Sequence, residues 1–261
     1  MFRSLATAAS GMEAQQTKLD VTANNIANVS TNGFKKGRAE FSDLIYQQTR
    51  GAGASTGQGT SAPAPTEIGL GVRLTSTARE HSQGELHSTG NQLDLAIQGK
   101  GFFPVTMPNG TTEYTRNGAL QMTAEGKLVT SEGYAIGGDI TIPADAQSVT
   151  IAQDGTVTAT VASSSTPSAL GQIQLATFAN PGGLEAQGGN LFRETSASGT
   201  AVLGSPGDGG SGSISQGMLE VSNVNVVEEM VDLISGQRAY EVNSRVIKAA
   251  DEMLGETAQL H

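Results

Sequence analysis

The chain has 261 residues, with 15 Lys and Arg against 25 Asp and Glu, and its net charge of −10 argues against a sequence-independent grip on nucleic acid or anionic lipid. It has no Cys and three His, which excludes a disulfide framework, a thiolate nucleophile and a Cys-ligated metal, and leaves little imidazole chemistry. Thirty-four Gly with few aromatics suit a turn-rich β protein or an extended assembly protein better than a dense enzyme core.

From Leu5 to Asn28 there is no Pro and a single Gly, and Leu5, Met12, Leu19 and Ile26 recur every seventh position. This spacing predicts an amphipathic helix of roughly 35 Å whose apolar stripe needs a partner surface. It should stop at Asn32-Gly33, where the left-handed conformation that ends helices is accessible. Asn24, Asn25 and Asn28 are poor helix formers and are expected to hydrogen-bond to neighbouring chains. Lys35 and Lys36, beside the turn, read as a solvated edge without a ligand. Ala6-Thr7-Ala8 imitates a signal-peptidase site, but no apolar run precedes it, so no cleaved signal peptide is expected. No stretch approaches a membrane span either, so no direct membrane insertion is expected.

Gly51–Pro65 and Gly204–Ser213 are nearly devoid of large apolar residues and read as linkers or loops. Between them the period changes to two, at Ser148–Ile151 and at Gln172–Phe178, which predicts strands. Turn signals at Asn109-Gly110, Asn117-Gly118, Glu125-Gly126, Asp154-Gly155 and Asn180-Pro181-Gly182 fit tight antiparallel connections. Gly99-Lys100-Gly101 lacks P-loop spacing and precedes Phe102-Phe103, so its glycines are expected to shape the start of a strand. His81 and His87, near Glu80 and Glu85, lack a third compelling metal ligand and read as solvated histidines. The serines of Ala162–Ser165 carry no nucleophile motif, and Asp154-Gly155 reads as a turn before a calcium site. No cofactor or metal site and no catalytic constellation emerges.

At the other end Val226, Leu233, Tyr240, Ile247 and Leu254 recur every seventh position within a Pro-free segment from Val224 to Leu260. A second helix follows, and Gly236 interrupts it, so a small bend is expected there. Residues 1–40 carry a net charge of +2 and residues from Val221 onward a net of −4, so the two helices should attract weakly, with the apolar stripes supplying most of the stability. The fold class is α+β: long terminal helices pair as a coiled-coil-like discontinuous domain, with a mainly antiparallel β domain inserted between them. The expected divisions are 1–45 (first helix and connector), 46–66 (Gly/Ser/Pro-rich stretch), 67–213 (β-rich outer domain) and 214–261 (second helix).

Ala23–Lys35 (ANNIANVSTNGFK) resembles the signature that opens flagellar rod and hook proteins, and Ser222–Leu254 is similar to that family's C-terminal segment. Gly99–Phe103, Tyr114–Gly118 and Gly126–Val129 resemble its interior motifs. Overall length and Met1-Phe2-Arg3-Ser4-Leu5 are most similar to its distal rod branch. The resemblance implies a structural subunit of a helical homopolymer, a rigid tubular shaft that transmits torque and has no enzymatic activity. It also implies a place in the basal body across the periplasm, and export through the flagellar type III apparatus. Partners implied are copies of the chain itself, proximal rod proteins, the hook protein, the periplasmic and outer-membrane ring proteins and the export apparatus, with no nucleic acid. Tyr46–Pro65 matches the stretch that packs between neighbouring subunits. Self-assembly is expected through Leu5, Met12, Leu19, Asn24, Asn25, Ile26, Asn28, Val226, Leu233, Tyr240, Ile247 and Leu254. Alternatives are a hook or proximal rod subunit, or a secreted β-rich adhesin or binding module, which would have no need of heptad stripes at both ends.

Overall fold

A computed structural model describes residues 2–53, 55–57, 60–61, 63–138, 140–161 and 164–259. The chain divides into two compact units. One comprises residues 1–27, 37–78 and 225–261, the other residues 28–36 and 79–224. The helical unit therefore takes in more of the chain than the helices: the strands Gly37–Asp43, Tyr46–Arg50 and Thr66–Gly69 belong to it as well.

In the helical unit, α1 (Phe2–Ala27) and α2 (Val226–Gln259) lie against each other. Both were legible from their apolar repeats, and α2, at 34 residues, is about 50 Å long. α2 runs through Gly236 as continuous α-helix. Its start is capped by Asn225, whose Oδ1 accepts from the Val227 amide at 3.1 Å. Glu228 and Glu229 in its first turn face the positive end of the helix dipole. Alongside, Tyr46–Arg50 pairs antiparallel with Thr66–Gly69, and all of these residues are exposed. The Gly/Ser-rich stretch is thus carried on a two-stranded β arm rather than on a bare linker.

The other unit is antiparallel β. Its main sheet has seven strands in the order Leu120–Met122, Leu128–Thr130, Ala135–Ile136, Phe103–Thr106, Thr112–Thr115, Leu191–Arg193 and Glu185–Gly188. The expected turns at Asn109-Gly110, Glu125-Gly126 and Asp154-Gly155 close hairpins, with each Gly at a φ near +81°. Asn117-Gly118 differs. Gly118 has no positive φ, and a Cβ there would meet the Leu95 carbonyl at 1.7 Å, so it permits a close backbone approach. A three-stranded sheet is built from Ala146–Ile151, Thr156–Val161 and Ser164–Gln172.

The alternating run at Gln172–Phe178 is not one strand. Ser164–Gln172 ends in the three-stranded sheet, and Leu175–Thr177 pairs instead with Val202–Gly204. The period of two spans the break because Ile173 and Leu175 are buried on either side of exposed Gln174, and it ends at Ala176, which is buried as well. Leu95, Ile97, Phe103, Val105, Ile136, Val157, Ile173 and Ile214 form its core with no measurable exposure. A smaller aromatic cluster gathers Phe102, Tyr114, Phe178 and Phe192 edge-to-face. Gly204–Ser213 is held by its own backbone bonds, among them Gly207 N–H to Gly212 O at 2.9 Å.

Candidate assembly surfaces and the buried ion triad

The two helices run antiparallel, with Gly11 beside Asn243, Leu19 beside Gly236, Lys18 beside Asp232 and Asn25 beside Glu229. Small residues make this possible: Ala8, Ala14 and Thr22 of α1 are buried, as are Gly236 and Ala250 of α2. A Cβ on Gly236 would sit 3.0 Å from Leu19 Cδ2, so this glycine is a contact position. The stripe residues Leu5, Met12, Leu19, Ile26, Val226, Leu233 and Ile247 are half-buried. Tyr240 is 40 % exposed, and the side chain of Leu254 lies outside the described residues.

The three asparagines are placed differently from one another. Asn25 is buried and binds within its own chain: its Nδ2 donates to Gly37 O at 2.9 Å and to Glu229 Oε2 at 3.1 Å, and its Oδ1 accepts from Gly37 N–H at 2.9 Å. Both amide protons, expected to reach a neighbouring chain, are therefore used in tying α1 to α2 and to the strand at Gly37. Asn28 accepts from the Thr31 hydroxyl at 3.2 Å, and Asn24 is exposed.

A second apolar face, which the heptad reading passed over, lies on α2. Val227 (70 % exposed), Val231 (62 %), Ile234, Val242, Val246 and Met253 recur about once per helical turn, with Arg238 and Ala249 filling the gaps. Its signal was present in the sequence as Val-Val pairs and near-neighbours of the heptad series. A helix apolar on two sides satisfies one stripe within its own chain and leaves the other facing water, an arrangement typical of an interaction surface.

Sequence reasoning also misplaced Lys35. It is 1 % exposed rather than solvated, and its Nζ lies 2.6 Å from Glu220 Oε1 and 2.6 Å from the Ser82 carbonyl. Arg116 Nε reaches Glu220 Oε2 at 2.9 Å, and its Nη atoms donate to the carbonyls of Gly101 and Gly99. The Gly84 amide completes the shell of the carboxylate at 2.9 Å. Burial pulls both the Lys35 ammonium and the Arg116 guanidinium below their ordinary pKa ranges, while Glu220 acts in the opposite direction. Gly33 fits this layout on two counts: its φ is +70°, and a Cβ would come within 2.6 Å of the Asn117 nitrogen. Through Glu220 the triad joins two of the motifs that carried the resemblance, Ala23–Lys35 and Tyr114–Gly118, and Arg116 ties in a third, Gly99–Phe103.

His81 also departs from expectation. Its ring stands edge-on to Phe102 and Phe192, and neither nitrogen finds a hydrogen-bond partner. Burial, together with the charges of Lys35, Arg79 and Arg116, lowers its pKa to about 4, with the nearby Pro181 backbone opposing the shift only in part. Among the described residues no three acidic, His or Cys side chains gather as a metal site.

Three family descriptions match along the chain: flagella basal body rod protein over residues 5–35, the flagellar hook protein FlgE/F/G D1 domain over 96–159, and the flagellar basal body rod FlgEFG protein C-terminal region over 215–260. The flagellar basal-body rod protein FlgG of Caulobacter vibrioides is 49 % identical over 260 residues, covering 99 % of both chains. That of Buchnera aphidicola from Acyrthosiphon pisum is 45 % identical across 100 % of both. The chain belongs to the flagellar basal-body rod protein family. FlgG of Bacillus subtilis, at 45 % over 268 residues, extends the same relation, whereas the flagellar hook-basal body complex protein FlhP of that organism is 32 % identical over 98 % of each chain. In this rod protein the family matches cover α1 and the turn after it, the centre of the β unit, and α2. No helix among the described residues is long and apolar enough to cross a membrane.

Proposed function

We propose that this rod-family chain is a structural subunit of the distal rod, polymerising through α1 and α2 into a rigid tube that transmits torque from motor to hook. The observation that carries this reading is the second apolar face of α2, from Val227 to Met253, which is exposed in the single chain. Apolar area removed from water stabilises contacts by about 25 cal/mol per Å², so a row of such residues favours association. The occupant is a second copy, in which coiled-coil-like packing between subunits covers that face. The exposed β arm ending at Thr66–Gly69 lies between neighbours and supplies stiffness, since an isolated two-stranded ribbon is marginal in water. Proximal rod proteins, the hook protein, the surrounding rings and the export apparatus are the partners that go with this role, and the work of the chain is mechanical rather than enzymatic.

Electron microscopy of the concentrated chain tests the reading. Straight tubes are expected from the full chain and none from the variant Val231→Asp with Ile234→Asp, which should remain folded as a monomer because both side chains already face water. Equal tubes from both proteins would refute assembly through this face, and curved tubes would indicate a hook-type rather than a rod-type subunit.

A further inference from the structure

Within the β unit a cavity of about 230 Å³ is lined by Lys35, His81, Lys100, Phe102, Arg116 and Pro181, and nothing in the rod reading uses it. Its charge is unbalanced. Lys35, Arg116 and Arg79 cluster around His81 with Glu220 as the one buried carboxylate in the triad, and Lys100 adds an exposed ammonium that forms no ion pair among the described residues. The half-buried imidazole of His81 forms part of the wall, and its two nitrogens are shielded from water without a hydrogen-bond partner, a state that buried polar groups rarely keep without a ligand or an ordered water. The rest of the wall is Phe102 and Pro181 with Gly99, Gly101 and Gln83, whose side-chain amide is already bonded to the Ile97 carbonyl and the Gly99 N–H, and the apolar part of this lining suits a short apolar stem.

We infer that this cavity binds a carboxylate on a short apolar stem, with the head at the Lys100 ammonium in the field of the buried cations and the stem against Phe102 and Pro181. The requirement is for a single negative charge. A cation would be repelled by Lys35, Arg79, Arg116 and Lys100, and a neutral amide would gain nothing from the charge excess. A free short-chain acid and a Glu side chain of a second copy share this chemistry.

The test uses the full chain, butyrate as the probe and butyramide as its neutral isostere, with His81 followed by NMR. Butyrate should shift the His81 resonances saturably, with a Kd of about 1 mM, as expected for so small a ligand. It should also raise the pKa of His81, because an anion and a proton bound in one cavity favour each other reciprocally. Lys100→Glu, at an exposed position where folding is not at stake, should weaken binding at least tenfold. An equal response to butyramide, a non-saturable response, or unchanged affinity in Lys100→Glu would overturn the inference and leave water as the partner of the imidazole. Sedimentation with and without butyrate then separates the sources. Weakened self-association identifies a Glu from a second copy, and unchanged association with binding retained identifies a free acid.

Discussion

The two units bury their polar and apolar groups in opposite ways. The β unit encloses Leu95, Ile97, Phe103 and Ile136 without exposure and can even afford an enclosed ion triad. In the helical unit the fully buried seam positions are mostly Ala, Gly and Thr, the heptad side chains such as Leu19 are only half-buried, and a second row of apolar side chains, from Val227 to Met253, faces water. Close packing of large aliphatic side chains makes one unit sufficient in itself, whereas the other leaves an apolar helix face in water, the face through which assembly is proposed. The difference separates the stability of the chain from its association: substitutions in the β unit should change unfolding, and those on the outer face of α2 should change assembly.

The most direct way to break that contrast is at Glu220. Its carboxylate accepts from Lys35, Arg116 and the Gly84 amide while fully enclosed, so Glu220→Ala strands two buried cations. Removing one member of such a set costs about 3–5 kcal/mol, even though the intact set stabilises little relative to an apolar replacement. Urea unfolding of the whole chain, followed by amide exchange at Phe103–Thr106, should show the loss in the β unit. A cost below about 1 kcal/mol would mean that water reaches the triad and that the unit is less closed than its geometry indicates.

The second effect is a pH dependence in the same unit. The pKa of His81 is lowered to about 4 from an ordinary 6.5, so the unfolded chain takes up a proton first as pH falls. Stability is therefore unaffected by this group above about pH 6.5 and falls progressively down to about pH 4, by up to about 3 kcal/mol in all. His81→Leu should flatten this slope while leaving that of the helical unit unchanged. Amide exchange in α1 that responded to pH as strongly as exchange in Phe103–Thr106 would erase the distinction between the units.

How much of this was legible in the sequence follows from the reach of each interaction. The two helices, the hairpins at Asn109-Gly110, Glu125-Gly126 and Asp154-Gly155, and the strand at Ala146–Ile151 rest on local period and turn chemistry, and all could be read directly. Lys35 could not. Its partners lie 47 and 185 positions away, so a lysine beside a turn looked solvated. His81 was misread for the same reason, since Phe102 and Phe192 close around it only after folding. The break at Ile173 was hidden because a period of two says which residues are buried and not which sheet receives them. On α2 the heptad series captured the half-buried flank, but counting by seven passed over a second stripe advancing at nearly the true helical period.

The smallest effects belong to the helix seam, and they test whether its stability is as modest as its composition implies. At Gly236 a methyl group would meet Leu19 Cδ2 at 3.0 Å, so the gain of about 1 kcal/mol in helix propensity from Gly→Ala is opposed by crowding, and Gly236→Ala should be nearly neutral. Gly236→Val adds branches that Leu19 has no room to accept, and it should cost about 1–3 kcal/mol, measured as faster amide exchange in both helices. Lys18 and Asp232 meet at 2.9 Å, but their side chains are 37 % and 53 % exposed, so Lys18→Met should cost less than about 1 kcal/mol and the difference should shrink in 1 M salt. A larger cost that survived salt would show this pair to be a principal clasp of the helices, and the apolar and small-residue seam would then no longer suffice to explain why they stay together in a single chain.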